Sequence, residues 1–143
     1  MLKYRNEEEK MDKFELVKQA IKVRENAYTP YSNFKVGAAV LTENDKIYLG
    51  CNVENASYGL TNCAERTAIF NAVSHKEKEV KAIAIVADTE GPVSPCGACR
   101  QVIAEFARKD TKIFLANLNG DIKETTIEHL LPGYFNASDI TKK

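Results

Sequence analysis

Three cysteines and one glutamate stand at spacings that favour metal-dependent chemistry. Cys63 and Glu65 are two residues apart, and Cys96 and Cys99 belong to a Pro-Cys-Gly-Ala-Cys segment further along the chain. Three thiolates can hold a zinc ion and leave its fourth tetrahedral position free for water, which distinguishes a catalytic zinc from a closed structural one. Glu65 is then the natural proton carrier for that water.

A Cys-x-x-Cys pair also has other common uses. Taken alone, it is more often a redox pair or half of a structural zinc site than part of a catalytic one. Cys51 could in principle complete a closed four-cysteine site, but it lies inside a predicted strand, so we interpret it as a small buried thiol. Catalysis is favoured by the combination of Cys-Ala-Glu with Pro-Cys-x-x-Cys, each at the start of a predicted helix.

Length and charge narrow the class of protein. A chain of 143 residues suits one domain whose hydrophobic core is large enough to fold without disulfides or structural metals. The 20 basic and 20 acidic residues cancel, so no overall field attracts nucleic acid or an anionic membrane. The sequence shows no leader and no membrane span, so we expect a cytoplasmic protein. In that reducing compartment, the cysteines are expected to be ligands or core residues rather than disulfides.

Helical spacing of apolar residues predicts three main helices and a short final one. They run over about 12–27, about 63–73, onward from Pro95, and onward from about Ile127. The candidate N-caps of the first three are Asp12, Asn62 or Thr61, and Ser94. Both cysteine-bearing helices therefore begin near their cysteines, and their N-termini can face a common spot.

Five strands are predicted, at 36–41, 46–53, 82–87, 112–118 and 122–126. The run at 82–87 is apolar throughout, as in a strand covered on both faces, and Asn119-Gly120 is the strongest hairpin signal. The order of elements predicts an α/β fold, a three-layer α/β/α domain with a mixed five-stranded sheet. We expect a lead-in at 1–11, one domain at 12–137 and a C-terminal tail at 138–143.

Five separated segments carry a recognisable pattern. They are Pro30-Tyr31-Ser32-x-Phe34-x-Val36-Gly37-Ala38, Asn52-Val53-Glu54-Asn55-Ala56, Cys63-Ala64-Glu65-Arg66-Thr67-Ala68, Pro95-Cys96-Gly97-Ala98-Cys99-Arg100-Gln101 and Leu130-Leu131-Pro132-x-x-Phe135. Together they resemble the zinc-dependent cytidine deaminases of the short-chain, homotetrameric branch, over roughly residues 12–137. Three cysteines, in place of one histidine and two cysteines, is the pattern of that branch.

The resemblance implies a role for each residue of the metal site. Cys63, Cys96 and Cys99 look like the ligands of one Zn²⁺ per subunit, and Glu65 looks like the catalytic acid and base. Zinc lowers the pKa of its water from about 15.7 towards about 7. Attack at C4 of cytosine, with Glu65 passing protons to N3 and to the departing amine, would release ammonia and a uracil nucleoside.

Residues around the expected site are assigned partly from chemistry and partly from the resemblance. Asn52 and Glu54 lie two apart and so face one side of an extended segment, where an amide and a carboxylate can grip ribose hydroxyls. A carboxylate there also repels phosphate, which favours nucleosides over nucleotides. Arg66 is hypothesised to offset sulfur charge by hydrogen bonding. The resemblance adds further substrate-binding candidates: Phe34, Tyr58, Ala64 and, from a neighbouring subunit, Phe135.

Alternatives of other classes stay open at this point. A structural zinc or interaction module without catalysis would share the same cysteines. Within enzymes, the runner-up acts on a cytosine-containing antibiotic such as blasticidin S, or on cytosine in a nucleotide or nucleic acid. The Asn52–Ala56 segment argues against the first, and neutral charge without a basic-aromatic groove argues against the last. We therefore expect a nucleoside substrate and no nucleic-acid or membrane partner. The resemblance alone implies a homotetramer.

Overall fold

A five-stranded mixed sheet forms the centre of the computed structural model, which describes residues 12–141. The strands are β1 Val36–Thr42, β2 Ile47–Cys51, β3 Val80–Ala87, β4 Ala107–Asn117 and β5 Ile122–Thr125. They lie in the order β2-β1-β3-β4-β5. Only β3 and β4 run parallel, while the other neighbours are antiparallel. The predicted lead-in at 1–11 lies outside the described residues.

Helices cover both faces of the sheet. They are α1 Lys13–Arg24, α2 Ala64–Ser74, α3 Gly97–Phe106, α4 Ile127–Leu130 and α5 Ala137–Ile140, with a short 3-10 helix at Tyr58–Leu60. Helix α1 packs on one face, and α2, α3 and α4 contribute to the core of the other. The predicted three-layer α/β/α fold with a mixed five-stranded sheet is therefore confirmed. No helix between residues 12 and 141 has the length and apolar character needed to cross a bilayer.

Strand β3 shows why the two layers assemble. Its residues alternate, with Ala82, Ala84 and Val86 facing α1, and Ile83 and Ile85 facing the opposite core. All five are buried, as expected of a central strand between two helical layers. Fully burying one isoleucine side chain stabilises the fold by roughly 1.5–3 kcal/mol, so β3 contributes strongly to both cores.

The start of α2 differs from the prediction. Cys63, with extended φ and ψ of −77° and 158°, is the N-cap, rather than Asn62 or Thr61. The reason is tertiary, because the main chain of Asn62 is engaged with Val53 through two hydrogen bonds of 2.9 and 3.0 Å. The N-cap cysteine makes no capping hydrogen bond with its side chain. Its sulfur is therefore available to a ligand.

Helix α3 begins later than predicted, for a similar reason. Its N-cap is Cys96 rather than Ser94, and its first residue is Gly97 rather than Pro95. The Ser94 hydroxyl accepts a hydrogen bond from Arg100 Nη2 at 2.7 Å instead of capping the helix. Cys96 likewise makes no side-chain capping bond, so neither N-cap cysteine uses its sulfur to cap its helix.

The outer ends of the fold show one agreement and two differences. Asp12 caps α1 as predicted, accepting from the Glu15 N–H at 3.1 Å, although α1 ends at Arg24 rather than near residue 27. Helix α5 was not predicted from the sequence. It begins after Asn136, whose side chain accepts from the helix while Asp139 accepts from the Asn136 N–H, forming a capping box.

Candidate functional site

The sulfurs of Cys63, Cys96 and Cys99 meet at the N-termini of α2 and α3. All three lie within 4.8 Å of one another, and the Cys63 and Cys96 sulfurs are 3.7 Å apart. Sulfurs bound tetrahedrally to zinc at about 2.3 Å would be about 3.8 Å apart. The Cys63–Cys96 distance therefore matches that of a zinc site, and the third sulfur lies close enough to share the ion.

The three cysteines differ in their exposure to solvent. Cys96 is exposed, Cys63 is half-buried and Cys99 is buried, so the cluster has an open side from which a small molecule can approach. Within residues 12–141, this is the one group of three or more metal-ligating side chains close enough to share an ion. Cys51 is not part of it, and burial raises the pKa of its thiol. The prediction that Cys51 does not close the site is confirmed.

The electrostatics favour a thiolate at Cys63. Its pKa is lowered to about 5, first by the neighbouring Cys99 thiol and then by Arg66. The nearby Cys63 sulfur and burial raise the pKa of Cys99. Helix N-termini add partial positive charge at both N-cap cysteines. The site is thus prepared for a cation that binds sulfur.

Glu65 lies beside the trio on the first turn of α2. Its side chain is only 4 % exposed, and burial, with a smaller contribution from Cys63, raises its pKa to about 6. A carboxyl group poised close to neutral pH can both accept and donate a proton. This is the property that a proton carrier needs.

Arg66 touches the cluster directly. Its Nη2 donates to the Cys63 sulfur at 3.3 Å, and this contact raises the pKa of the guanidinium. Its Nε is buried and has no hydrogen-bond partner among the described residues. Arg66 therefore stands where the hypothesis of charge compensation requires it.

A cleft of about 390 Å³ contains two of the substrate-binding candidates, Glu54 and Tyr58. Tyr31, Ser32 and Thr61 complete its lining. Glu54 accepts from the Tyr31 and Ser32 N–H groups at 2.9 and 3.1 Å and from the Ser32 hydroxyl. These bonds, led by the Ser32 hydroxyl, lower its pKa. The carboxylate is therefore fixed in place and charged at neutral pH.

Asn52 is buried and holds the neighbouring segment. Its Nδ2 donates to the Phe34 carbonyl at 2.8 Å, and its Oδ1 accepts from the Val36 N–H at 2.9 Å. Asn52 and Glu54 thus both bond to the chain between residues 31 and 36, in agreement with their predicted common side. One N–H of the Asn52 amide remains for a further partner.

The aromatic candidates Phe34, Tyr58 and Phe135 are all exposed on the surface of the single chain. Tyr58 is 75 % exposed and Phe135 60 % exposed, and the Tyr58 ring packs edge-on against Tyr31 with centroids 5.9 Å apart. Phe34 is exposed as well, whereas Ala64 is fully buried at the start of α2. Neither Phe34 nor Phe135 lines the cleft that holds Glu54.

Several residues of the site were not singled out from the sequence. Tyr31 and Ser32 lie within a quoted motif but received no role, although a hydroxyl near a carboxylate candidate was a usable signal. Arg100 and Gln101 also had none. Both donate to carbonyls about thirty residues further along the chain, and nothing in the local pattern reveals such a contact.

A larger cleft, of about 490 Å³, lies on the face of the sheet covered by α1 and contains none of the candidate residues. Phe14, Phe114 and several charged side chains line it. Two of its cations are paired, because Lys81 contacts Asp45 at 2.9 Å and Arg108 contacts carboxylates at 3.2 and 3.4 Å. We therefore place the functional site at the cysteine cluster.

A family model described as the cytidine and deoxycytidylate deaminase zinc-binding region matches residues 10–115. The match spans most of the chain and includes all three clustered cysteines and Glu65. The chain belongs to this family. Zinc is accordingly its cofactor, and the cysteine cluster fits that ion.

Similar proteins agree with this membership. A cytidine deaminase of Sporosarcina psychrophila is 59 % identical over 131 residues, covering 92 % of this chain and 96 % of its own. One of Halalkalibacterium halodurans is 59 % identical over 130 residues, covering 91 % and 98 %. The crystal structure of cytidine deaminase from Burkholderia pseudomallei superposes with a TM-score of 0.84 at 50 % identity, covering 87 % of this chain and 99 % of its own.

Proposed function

We propose that this deaminase-family chain hydrolyses cytidine and deoxycytidine to uridine and deoxyuridine with release of ammonia. The carrying observation is the meeting of three sulfurs within 4.8 Å beside a buried carboxyl group whose pKa is raised to about 6. Three ligands leave a tetrahedral ion one open position. The cluster is also open to solvent at Cys96, so a structural site closed by four protein ligands is disfavoured.

The catalytic roles follow from the chemistry of the side chains. Cys63, Cys96 and Cys99 would hold the zinc ion, which when bound would supply a Lewis acid that makes water nucleophilic near neutral pH. Glu65 accepts a proton from the water that attacks C4 of the cytosine ring and delivers it to N3. It then takes the proton of the hydroxyl now bonded to C4 and passes it to the exocyclic amine, so that the C4–N bond breaks and the C4 carbonyl forms. Water and cytidine are thereby converted to uridine and ammonia.

Recognition of the sugar is assigned to the segment that follows β2. Glu54 is a fixed carboxylate in an open cleft, and Asn52 has one amide N–H to spare, so the two can bind ribose hydroxyls. Negative charge at Glu54 repels a 5′-phosphate, which favours nucleosides over nucleotides. Phe34 and Ala64 complete the proposed substrate contacts within one subunit.

We further propose a homotetramer that works in the cytoplasm as part of pyrimidine salvage. Large exposed apolar side chains such as Tyr58, Leu60 and Phe135 are typical of surfaces that another subunit covers. Tyr58 lines the cleft that holds Glu54 in its own chain, and Phe135 is proposed to complete the site of a neighbouring copy. A reducing compartment keeps the ligand thiols free of disulfides.

The test is a substrate panel combined with one substitution. Zinc-loaded and chelated proteins are assayed for ammonia release from cytidine, deoxycytidine, cytidine monophosphate, cytosine, adenosine and blasticidin S. We expect the two nucleosides to be deaminated by the zinc form only. Glu65→Ala should keep stoichiometric zinc yet lose deamination, since positioned proton transfer contributes about 10²–10⁴-fold in rate. Near-normal turnover in this variant, or no turnover of any nucleoside by the zinc form, would refute the proposal.

A further inference from the structure

We infer that Arg100 and Gln101 are positioning residues that latch the C-terminal segment to the metal-bearing turn of α3. Through this latch, the placement of Phe135 depends on metal loading. The inference rests on the proposed function, because only that proposal assigns Phe135 to a substrate site. The two residues are adjacent, follow Cys99 directly, and contact main-chain or side-chain atoms on both sides of the connection.

Arg100 joins three points with one rigid group. Its Nε donates to the Pro95 carbonyl at 2.9 Å, its Nη2 donates to Ser94 Oγ at 2.7 Å, and its Nη1 donates to the Leu130 carbonyl at 2.6 Å. Ser94 and Pro95 immediately precede Cys96. A planar guanidinium can satisfy three acceptors in fixed directions, which the single ammonium of lysine cannot reproduce. The loop entering the metal site and the end of α4 are therefore held by the same side chain.

Gln101 extends the connection to the aromatic candidate. Its Nε2 donates to the Phe135 carbonyl at 2.8 Å. Within the described part of the chain, the main-chain groups of residues 132–135 make no hydrogen bond to another main-chain group. Leu131 and Tyr134 pack partly against the core, but the exposed Phe135 does not. The bond from Gln101 is thus the polar contact that fixes where Phe135 is presented.

Coupling follows from the position of the latch on α3. Cys96 and Cys99 lie on the N-terminal turn, where the backbone N–H groups have no partners within the helix. An ion bound by both sulfurs would fix the conformation of this turn. The hydrogen bonds from Arg100 and Gln101 would then fix residues 130–135 as well. Without the ion, the turn and the segment it holds are released together.

The experiment uses the absence of tryptophan from the chain. Phe135→Trp introduces a single tryptophan into the full-length protein, and its emission, excited at a wavelength that the six tyrosines do not absorb, is recorded metal-free and after addition of zinc. We expect zinc to shift the emission maximum in this background. Gln101→Met removes the amide that donates to the Phe135 carbonyl, and Arg100→Lys removes the guanidinium that donates to three acceptors. Both substitutions should abolish the shift while the circular dichroism spectrum stays native-like.

Matched controls lie on other parts of the fold. Gln19 is also half-buried on a helix, and its one side-chain hydrogen bond within residues 12–141 is to Glu15 of the same helix, so Gln19→Met should retain the shift. Arg108→Lys, away from the metal site, should retain it as well. In the chain that keeps Phe135, Gln101→Met should raise KM for cytidine about two- to tenfold, the factor expected of one hydrogen bond, with kcat unchanged.

The possible outcomes separate the latch from the proposed function. A shift that persists in Gln101→Met, or the absence of any shift in the Phe135→Trp parent, overturns the latch. If Arg100→Lys fails to fold, Gln101→Met decides alone. A remaining outcome is that the shift occurs in Phe135→Trp and disappears with Gln101→Met while the zinc-loaded protein releases no ammonia from cytidine. That result would support the latch and refute the proposed deamination of cytidine.

Discussion

Charge balance decides how three sulfurs can serve hydrolysis. Three thiolates carry a formal charge of −3 and zinc carries +2, so the bound set is left with −1. Excess negative charge opposes the ionisation of a nearby water. Arg66 lies 3.3 Å from the Cys63 sulfur through Nη2, and its own pKa is raised by that contact. We therefore assign Arg66 to offset the sulfur charge rather than to hold the metal.

Replacing Arg66 with glutamine tests this assignment. Arg66→Gln removes the positive charge but leaves all three sulfurs, so zinc content should stay near one per chain. We expect kcat to fall by roughly 10–100-fold, because a charged hydrogen bond contributes about 1.5–3 kcal/mol. Zinc is measured by atomic absorption and turnover by ammonia release. Unchanged turnover would remove the role, and loss of zinc would make Arg66 a residue of metal retention instead.

The pH dependence of KM gives a second test, because it depends on whether Glu54 is ionised. Its pKa is lowered by hydrogen bonds from Ser32 and Tyr31, so its stabilising bonds are fully present above the usual carboxyl pKa of about 4.3. They are lost as pH falls through the lower, folded-state pKa. Between pH 5 and 8, ionisation of Glu54 therefore contributes no change in KM for cytidine.

Glu54→Gln keeps the shape of the side chain and removes its charge. We expect KM for cytidine to rise about 10–100-fold, as for the loss of charged hydrogen bonds, while the penalty against cytidine monophosphate narrows. Steady-state kinetics on both substrates measure the two effects. An unaltered ratio between the substrates would show that Glu54 does not exclude phosphate.

Close packing of α2 on β2 sets the position of Cys63 and Glu65. Gly50 lies beneath the helix, and a Cβ added there would stand 2.3 Å from the Ala68 nitrogen and 2.7 Å from the Ala64 carbonyl oxygen. Both contacts are with backbone, which cannot move without moving the helix. The residues of β2 thus determine how far the first turn of α2 lies from the sheet.

Gly50→Ala should therefore damage stability and catalysis together. Overpacking in a core costs typically 1–3 kcal/mol, so we expect the free energy of unfolding in urea to fall by at least that range. Deamination should fall too, because the helix that carries Glu65 is displaced. Gly91→Ala is the matched control, since a Cβ at Gly91 meets nothing within 4 Å. Equal stability of the two variants would contradict the close approach.

The fold was largely predictable because its elements follow local patterns. The five strands and the helices α1 to α4 follow from apolar periodicity, turn residues and capping. The errors occur where tertiary contacts override local preference, as when Arg100 takes the hydroxyl of Ser94 and leaves Cys96 as the N-cap. The metal trio was predicted from residue types and motif resemblance. The bonds from Arg100 and Gln101 were not, because they join positions far apart in sequence.

Exposed aromatic residues dominate one region of the molecule around the Glu54 cleft. Tyr28 forms a bridge with Val53, Tyr31 packs against Tyr58, and all four of these side chains are substantially exposed in the single chain. An apolar surface of this kind is stable in water when a partner covers it. In the proposed homotetramer, the other subunits would cover this surface.

Mixing two inactive variants tests whether sites are shared between chains. Phe135→Ala removes the aromatic side chain proposed to enter a neighbouring site, and Glu65→Ala removes the proton carrier of its own site. In a mixed assembly, a subunit with intact Glu65 can receive Phe135 from a neighbour that carries the Glu65 substitution, so activity should recover. We expect deamination after denaturing and refolding the two variants together to exceed the sum of those refolded separately. Sedimentation should give the mass of four chains, whereas a monomer, or mixtures with purely additive activity, would show that each chain completes its own site.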